Sequence, residues 1–354
     1  MDAPHDIGRR LAAALQRHAG LHGSVEGLRR LTGGATKTTW SFDLLTADGR
    51  RPMILQQTPT TTASASASAS ASASASVSVS ASASAPPGLS APKLDAAEDA
   101  RVMIAARAHG VPAPVVLAIL DVHDGLERGY VTERVEGETL GRKLVSDPAY
   151  ACARGAMAAQ AGAILAAIHT MPVAELHFLQ RLSPAQELEV YGDLLARTGF
   201  SHPALAYAMQ WVRKNLPVDW RDALVHSDFR TGNLIVGAEG IRCVLDWEIA
   251  RVGDPMQDLG VLCMRTWRFG GAGEAGGFGS REDLYAAYER ASGSPVDPVR
   301  VRFWEAFSNL KWAIGCVRRG LSVRADGSPA SLELCAVGRR MEEPLWDFFQ
   351  LIEA

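Results

Sequence analysis

From residue 28 the chain alternates apolar and polar positions. Trp40, Phe42 and Leu44 take turns with Thr39, Ser41 and Asp43, which is the period of a strand with one buried face. The stretch "LRRLTGGATKTTWSFDLLTADGRRPMILQQTP" therefore reads as strand, Gly-Gly turn, strand, Asp-Gly turn, strand, a three-strand meander. Ahead of it, "MDAPHDIGRRLAAALQRHAG" reads as an amphipathic helix. Behind it comes a strict Ala-Ser alternation over residues 63 to 85. Its side chains are too small to offset the ordering entropy, so residues 58 to 92 are expected to form a disordered insert.

A helix resumes at "LDAAEDARVMIAARAHG" and stops at Gly110 and Pro112, and "PVVLAILDV" and "GYVTERVEG" add two strands for a sheet of about five. After Gly137 the period turns helical. Long helices are predicted over 150 to 216, two short strands over 223 to 250, and mostly helix from 255 to 354 around the glycine-rich loop "FGGAGEAGGFGS". The fold class that follows is α+β, a small β-rich lobe over residues 1–136 leading into a larger α-helical lobe over 137–354.

Composition narrows the partners. With 47% hydrophobic and 21% charged residues and a net charge of −3, nothing favours nucleic acid or anionic lipid. The five cysteines are odd in number and scattered without a C-x-x-C pair, which suits reduced core residues in a cytoplasmic protein. The N-terminus lacks the features of a signal peptide, and the Ala-rich "GAMAAQAGAILAAIHTM" is broken by Gln160 and His169, so no membrane span is expected.

The chemistry is concentrated in "VHSDFRTGNLIV". In H-x-D-x-x-x-x-N an aspartate accepts a proton from an attacking hydroxyl, and an asparagine five residues on curls back to offer a metal an oxygen; Asp228 and Asn233 hold those places. One hairpin later, "CVLDWEIARVGDPMQDLG" ends an apolar strand on Asp246, where a second hard oxygen ligand for magnesium would stand. A solvated polar loop would explain the first motif alone. It does not explain the order of glycine turn, motif and second aspartate.

These motifs, together with "GGATKTTWSFD", "AAYERASG", "NLKWAIGCVRRG" and "VGRRMEE", resemble the aminoglycoside phosphotransferase and choline kinase superfamily. Within it, the chain is most similar to the kinase-like phosphotransferases associated with acyl-CoA dehydrogenases. The resemblance implies a protein-kinase-like fold and an ATP- and Mg2+-dependent transfer to a hydroxyl of a small molecule. It also implies a functional link to an acyl-CoA dehydrogenase. By that likeness Asp228 is the catalytic carboxylate, Asn233 and Asp246 bind magnesium, Gly33, Gly34 and Thr36 belong to the phosphate turn, and Glu133 to Val135 form the hinge whose backbone meets adenine.

Several positions keep two readings. His226 is expected to brace the loop rather than take a proton, and Arg230 is either a surface arginine or a cation near the transferred phosphate. Asp254 before Pro255 suits a helix cap, while Asp258 is a candidate to help hold the metal loop. Trp247-Glu248 replaces the Phe-Gly of protein kinases, so no activation switch of that type is assumed there.

On the third strand the superfamily carries a Lys or Arg, where this chain has Gln56 and Gln57. The acid on the following helix is Asp99 in preference to Glu98, and phosphate binding is left to the Gly33-Gly34 turn, the magnesium residues, and Lys37 or Arg230 reaching in. The missing cation also motivates a second hypothesis, a pseudokinase without turnover. The resemblance implies a hydroxyacyl-CoA or related acid as acceptor, with an aminoglycoside- or choline-type kinase as the alternative; residues 261 to 354 hold 12 basic and 12 acidic side chains, not the acidic pocket that would favour an aminoglycoside polycation.

Overall fold

The computed structural model describes residues 4–31, 37–58, 93–324 and 326–353. The Ala-Ser stretch, the expected disorder of residues 59 to 92, and the turn residues Gly33, Gly34 and Thr36 lie outside the described residues. Helix α1 (Pro4–Ala19) precedes strands β1 (Ser24–Leu31), β2 (Thr38–Thr46) and β3 (Gly49–Gln57). Helix α2 (Ala96–Ala108), β4 (Val116–Leu120) and β5 (Gly129–Glu133) complete a five-stranded sheet in the order β1-β2-β3-β5-β4. Every pairing in it is antiparallel.

Alternation decides the two faces of this sheet. Phe42, Leu44, Met53, Leu55 and Val131 are buried on one side against Leu11, Ala14 and Leu15, which their spacing places on one stripe of α1. Each such apolar side chain contributes about 1.5–3 kcal/mol on burial. The opposite phase of the same strands, carrying Gln56 and Tyr130, is left to face α2. The β2–β3 turn is shifted by one residue from the Asp-Gly reading: Thr46 pairs with Gly49, so Ala47-Asp48 is the loop and Gly49 takes φ +124° just beyond it.

The helical part comprises α3 (Gly141–Ser146), α4 (Ala151–Thr170), α5 (Pro184–Ala196) and α6 (Pro203–Lys214), then α7 (Met256–Cys263), α8 (Arg281–Ser292), α9 (Pro298–Gly320), α10 (Leu332–Gly338) and α11 (Glu342–Glu353). Between α6 and α7 there are four short strands where two were expected: β6 (Ala223–Val225), β7 (Leu234–Gly237), β8 (Gly240–Val244) and β9 (Arg251–Gly253). β6 and β9 have three residues each, too short for any period to register, and they pair with one another across the whole motif region.

Helix α4 is long and apolar enough to cross a membrane by length and composition. Here its apolar face packs on α8, with Gly162 against the backbone of Leu284 and Tyr288. Cys243, Cys263 and Cys316 are buried as expected, whereas Cys152 is exposed and Cys335 half-buried, so those two are not core residues. All five are free thiols.

Candidate active site

The catalytic loop leaves β6 at Val225 and is shaped by a buried carboxylate below it. Asp258, on the first turn of α7 and fully buried, accepts the backbone N–H groups of His226 and Ser227, both at 2.7 Å, and faces His169 Nε2 at 3.1 Å. Its bonds therefore go to the loop that carries Asp228, and among the described residues none goes to Asp246 or its neighbours. This grip sustains Ser227 at φ +71°, a left-handed conformation costly for a non-glycine residue. Burial alone would raise the Asp258 carboxyl, but the bonds from His169 and from the His226 backbone outweigh it and keep it below its ordinary value.

Both ring nitrogens of His226 are committed. Nδ1 accepts the backbone N–H of Asp228 at 3.2 Å, so Nε2 carries the proton and donates it to the carbonyl of Leu245 at 3.0 Å. The ring also packs on Trp247, 4.7 Å between centroids. It has no lone pair left for an acceptor hydroxyl and acts as a brace.

Asp228 stands partly open, with its side chain 23% exposed. Its Oδ1 accepts from Arg230 Nε at 2.9 Å and its Oδ2 from Asn233 Nδ2 at 2.7 Å. Each carboxylate oxygen takes two hydrogen bonds, so capacity remains for an incoming hydroxyl. Arg230 is not a surface residue: it is 1% exposed, and its guanidinium lies 4.4 Å from the centre of the Trp267 ring. The short turn that carries Asn233 is tied to the glycine-rich loop by Thr231 Oγ1, which donates to the Gly276 carbonyl at 2.7 Å.

The metal-side residues meet through backbone. Leu245 N–H donates to the Asn233 carbonyl at 2.8 Å, which brings Asp246 beside Asn233, and Asp246 takes φ +66°. Asn233 spends its amide N–H groups on Asp228, leaving Oδ1 for a cation. On the hinge, Glu133 and Arg134 spend their backbone N–H groups on Val115 and Pro52, and no bond engages that of Val135 among the described residues. The Glu133 side chain points away to Arg51, 2.8 Å off, so only its backbone faces the hinge.

A phosphotransferase enzyme family model matches residues 27–304. The chain belongs to that family. Among solved structures this phosphotransferase is similar to a spectinomycin phosphotransferase in complex with ADP and spectinomycin, with TM-score 0.60 and 12% identity over 97% of this chain and 98% of that one. It is also similar to a choline kinase from Streptococcus pneumoniae, with TM-score 0.55 and 15% identity over 97% and 99%. At those identities the likeness concerns the fold, two-lobed and kinase-like.

Curated relatives include acyl-CoA dehydrogenase family member 10 of Mus musculus, 30% identical over 42% of this chain and 15% of the relative. Acyl-CoA dehydrogenase family member 11 of Homo sapiens is 33% identical over 31% of this chain and 16% of the relative. The chain thus matches about a sixth of these relatives' length.

A cavity of about 1430 Å³ is walled by Trp267, Phe269, Trp312 and Trp346, with four basic and four acidic side chains in its lining. Trp267 joins it to Arg230 and so to Asp228. Some of the support was invisible beforehand. Tyr130, whose hydroxyl reaches Gln56 and Asp99, carried one signal, its place opposite Gln56 in the strand register. His169 carried none, being 89 residues from Asp258 in sequence.

Proposed function

We propose that the protein is an ATP- and magnesium-dependent kinase that phosphorylates a hydroxyl of a small molecule, and that the acceptor is a hydroxylated acyl thioester or related acid. The observation that carries the reading is the Asp228 carboxylate, aimed by Arg230 and Asn233 and left open on one side. Asp228 orients the acceptor hydroxyl and takes its proton as the oxygen bonds to the γ-phosphorus and the bond to ADP breaks.

The donor set at Asn233 and Asp246 suits magnesium, which prefers hard oxygens and is held by one or two side chains plus phosphates rather than by a closed cage. When bound, it supplies neutralisation of the phosphate charge. Support for an acidic acceptor comes from the curated relatives named as acyl-CoA dehydrogenase family members and from the 12 basic side chains that balance 12 acidic ones in residues 261 to 354. The aromatic walls of the cavity suit an apolar body.

The test is turnover of ATP by purified protein with magnesium against hydroxyacyl-CoAs, aminoglycosides and choline, beside Asp228→Asn. The variant is expected to lose about 10²–10⁴-fold in kcat while still binding ATP. Full activity in Asp228→Asn would remove the mechanism. Efficient phosphorylation of an aminoglycoside or choline, with hydroxyacyl thioesters ignored, would replace the acceptor. ATP binding without turnover anywhere would favour the pseudokinase reading that Gln56 motivates.

A further inference from the structure

The third strand offers no cation where a nucleotide's phosphates would need one, and the structure brings one in from elsewhere. Gln56 lies on the α2-facing side of β3, opposite Tyr130 on β5, and its side-chain amide touches the Tyr130 hydroxyl. Its cross-strand partner on β2 is Thr39. Two residues before Thr39, on the same face by the strand period, stands Lys37. Its Nζ lies 2.7 Å from Asp99 Oδ2, 3.3 Å from Glu248 and 3.9 Å from Asp246.

We propose that Lys37 is the cation that grips the α- and β-phosphates of the nucleotide, relocated from the third strand to the start of the second, and that Asp99 and Tyr130 are the positioning residues that aim it. The inference rests on the phosphotransferase reading of the site. Three features argue for a working cation over a packing ion pair.

First, Lys37 sits between the α2 acid and the metal-side Asp246, the interval that phosphates bridging the two lobes must cross. Second, one ammonium faces three carboxylates, of which, among the described residues, only Glu248 has another cation, Lys93, beside it. With Asp246 given to magnesium the remaining charges balance, and the longest of the three contacts, 3.9 Å, is the one that brings the ammonium to the metal side. Third, Asp99 is fully buried, gives Oδ2 to both Lys37 and the Tyr130 hydroxyl, and has no partner for Oδ1. That oxygen is a buried acceptor without a hydrogen-bond partner among the described residues, so the carboxylate has capacity beyond the contacts it makes here. Glu98 does not compete for the task, because its carboxylate closes the α2 capping box with Asp95.

The experiment measures binding of MgATP, MgADP and adenosine by calorimetry for wild type, Lys37→Ala, Lys37→Gln, Gln56→Lys, and the exchange Lys37→Gln with Gln56→Lys, each with its melting temperature. Loss of Lys37 is expected to weaken MgATP and MgADP by about 30-fold or more, the usual cost of removing a buried charge partner, while adenosine binds as before. The exchange variant is expected to recover most of the loss, and Gln56→Lys alone to bind no worse than wild type.

A merely structural ion pair would lower the melting temperature and weaken adenosine and ATP alike, which would overturn the proposal. Equal MgATP affinity in wild type and Lys37→Gln, a near-isosteric change that keeps the packing, would overturn it as well. In either case wild-type ATP binding leaves the phosphotransferase reading intact. If wild type itself binds no nucleotide, both fall together.

Discussion

At the scale of residues, the site works by committing some atoms so that others stay free. Both nitrogens of His226 are spent on backbone groups, and Arg230 and Asn233 each hold one oxygen of Asp228. Arg230 does this with a flat guanidinium laid on Trp267, a geometry lysine cannot copy. Arg230→Lys is accordingly expected to lower kcat by about 10²-fold through misplacement of Asp228, with little change in the KM for ATP. Steady-state kinetics at saturating acceptor checks it, and an unchanged kcat would mean that Asp228 keeps its aim without the stack.

These residues were legible in the sequence because their spacing is local: Asp228, Arg230 and Asn233 meet within six positions. The Lys37–Asp99 pair was not, since its members are 62 residues apart and no local spacing relates them.

At the scale of elements, α7 is the anchor of the catalytic loop. Asp258→Ala would orphan two backbone N–H groups and His169, and is expected to cost about 3–5 kcal/mol, read as a lower urea midpoint at unchanged slope. The same carboxylate gives a pH signature. Its folded value lies below the ordinary aspartate value of about 3.9, so its contribution is complete above that and is lost as pH falls through the lower folded value. The stability gap between wild type and Asp258→Asn should therefore hold above about pH 5 and shrink only as pH falls below the ordinary aspartate value of about 3.9.

Helices α4 and α8 meet at Gly162, where a Cβ would press on the Leu284 carbonyl. Gly162→Ala is expected to push them apart at a cost of about 1–3 kcal/mol, visible as a lower melting temperature. The helices were readable from their period. That a glycine sets their separation is a property of two surfaces and has no trace in one of them.

At the scale of the whole molecule, the order of a small sheet followed by a large helical part was readable, because strand and helix periods each persist over many residues. The pairing of β6 with β9 was not, being three residues long on each side of the motifs. Thiol chemistry offers a probe of how the helical core is sealed. Burial pushes Cys243 and Cys263 up to about 12 and Cys316 to about 11, while Cys152 is exposed. A maleimide at neutral pH is expected to label Cys152 first and Cys335 next, and to reach the other three only on unfolding. Mass spectrometry of timed samples distinguishes this from uniform labelling.

Trp247 is fully buried, its indole N–H held by the Val244 carbonyl and its ring against His226. The next residue receives the backbone N–H of Leu94 through its carbonyl, which ties the strip after Asp246 to the entrance of α2. The strip is thus held at one end by the residue that braces Asp228 and at the other by the entrance of α2, so the two parts of the protein share it as a common seam. For the proposed kinase, a disturbance at the start of α2, where the nucleotide would sit, would then be felt through that seam by the carboxylate that receives the acceptor's proton.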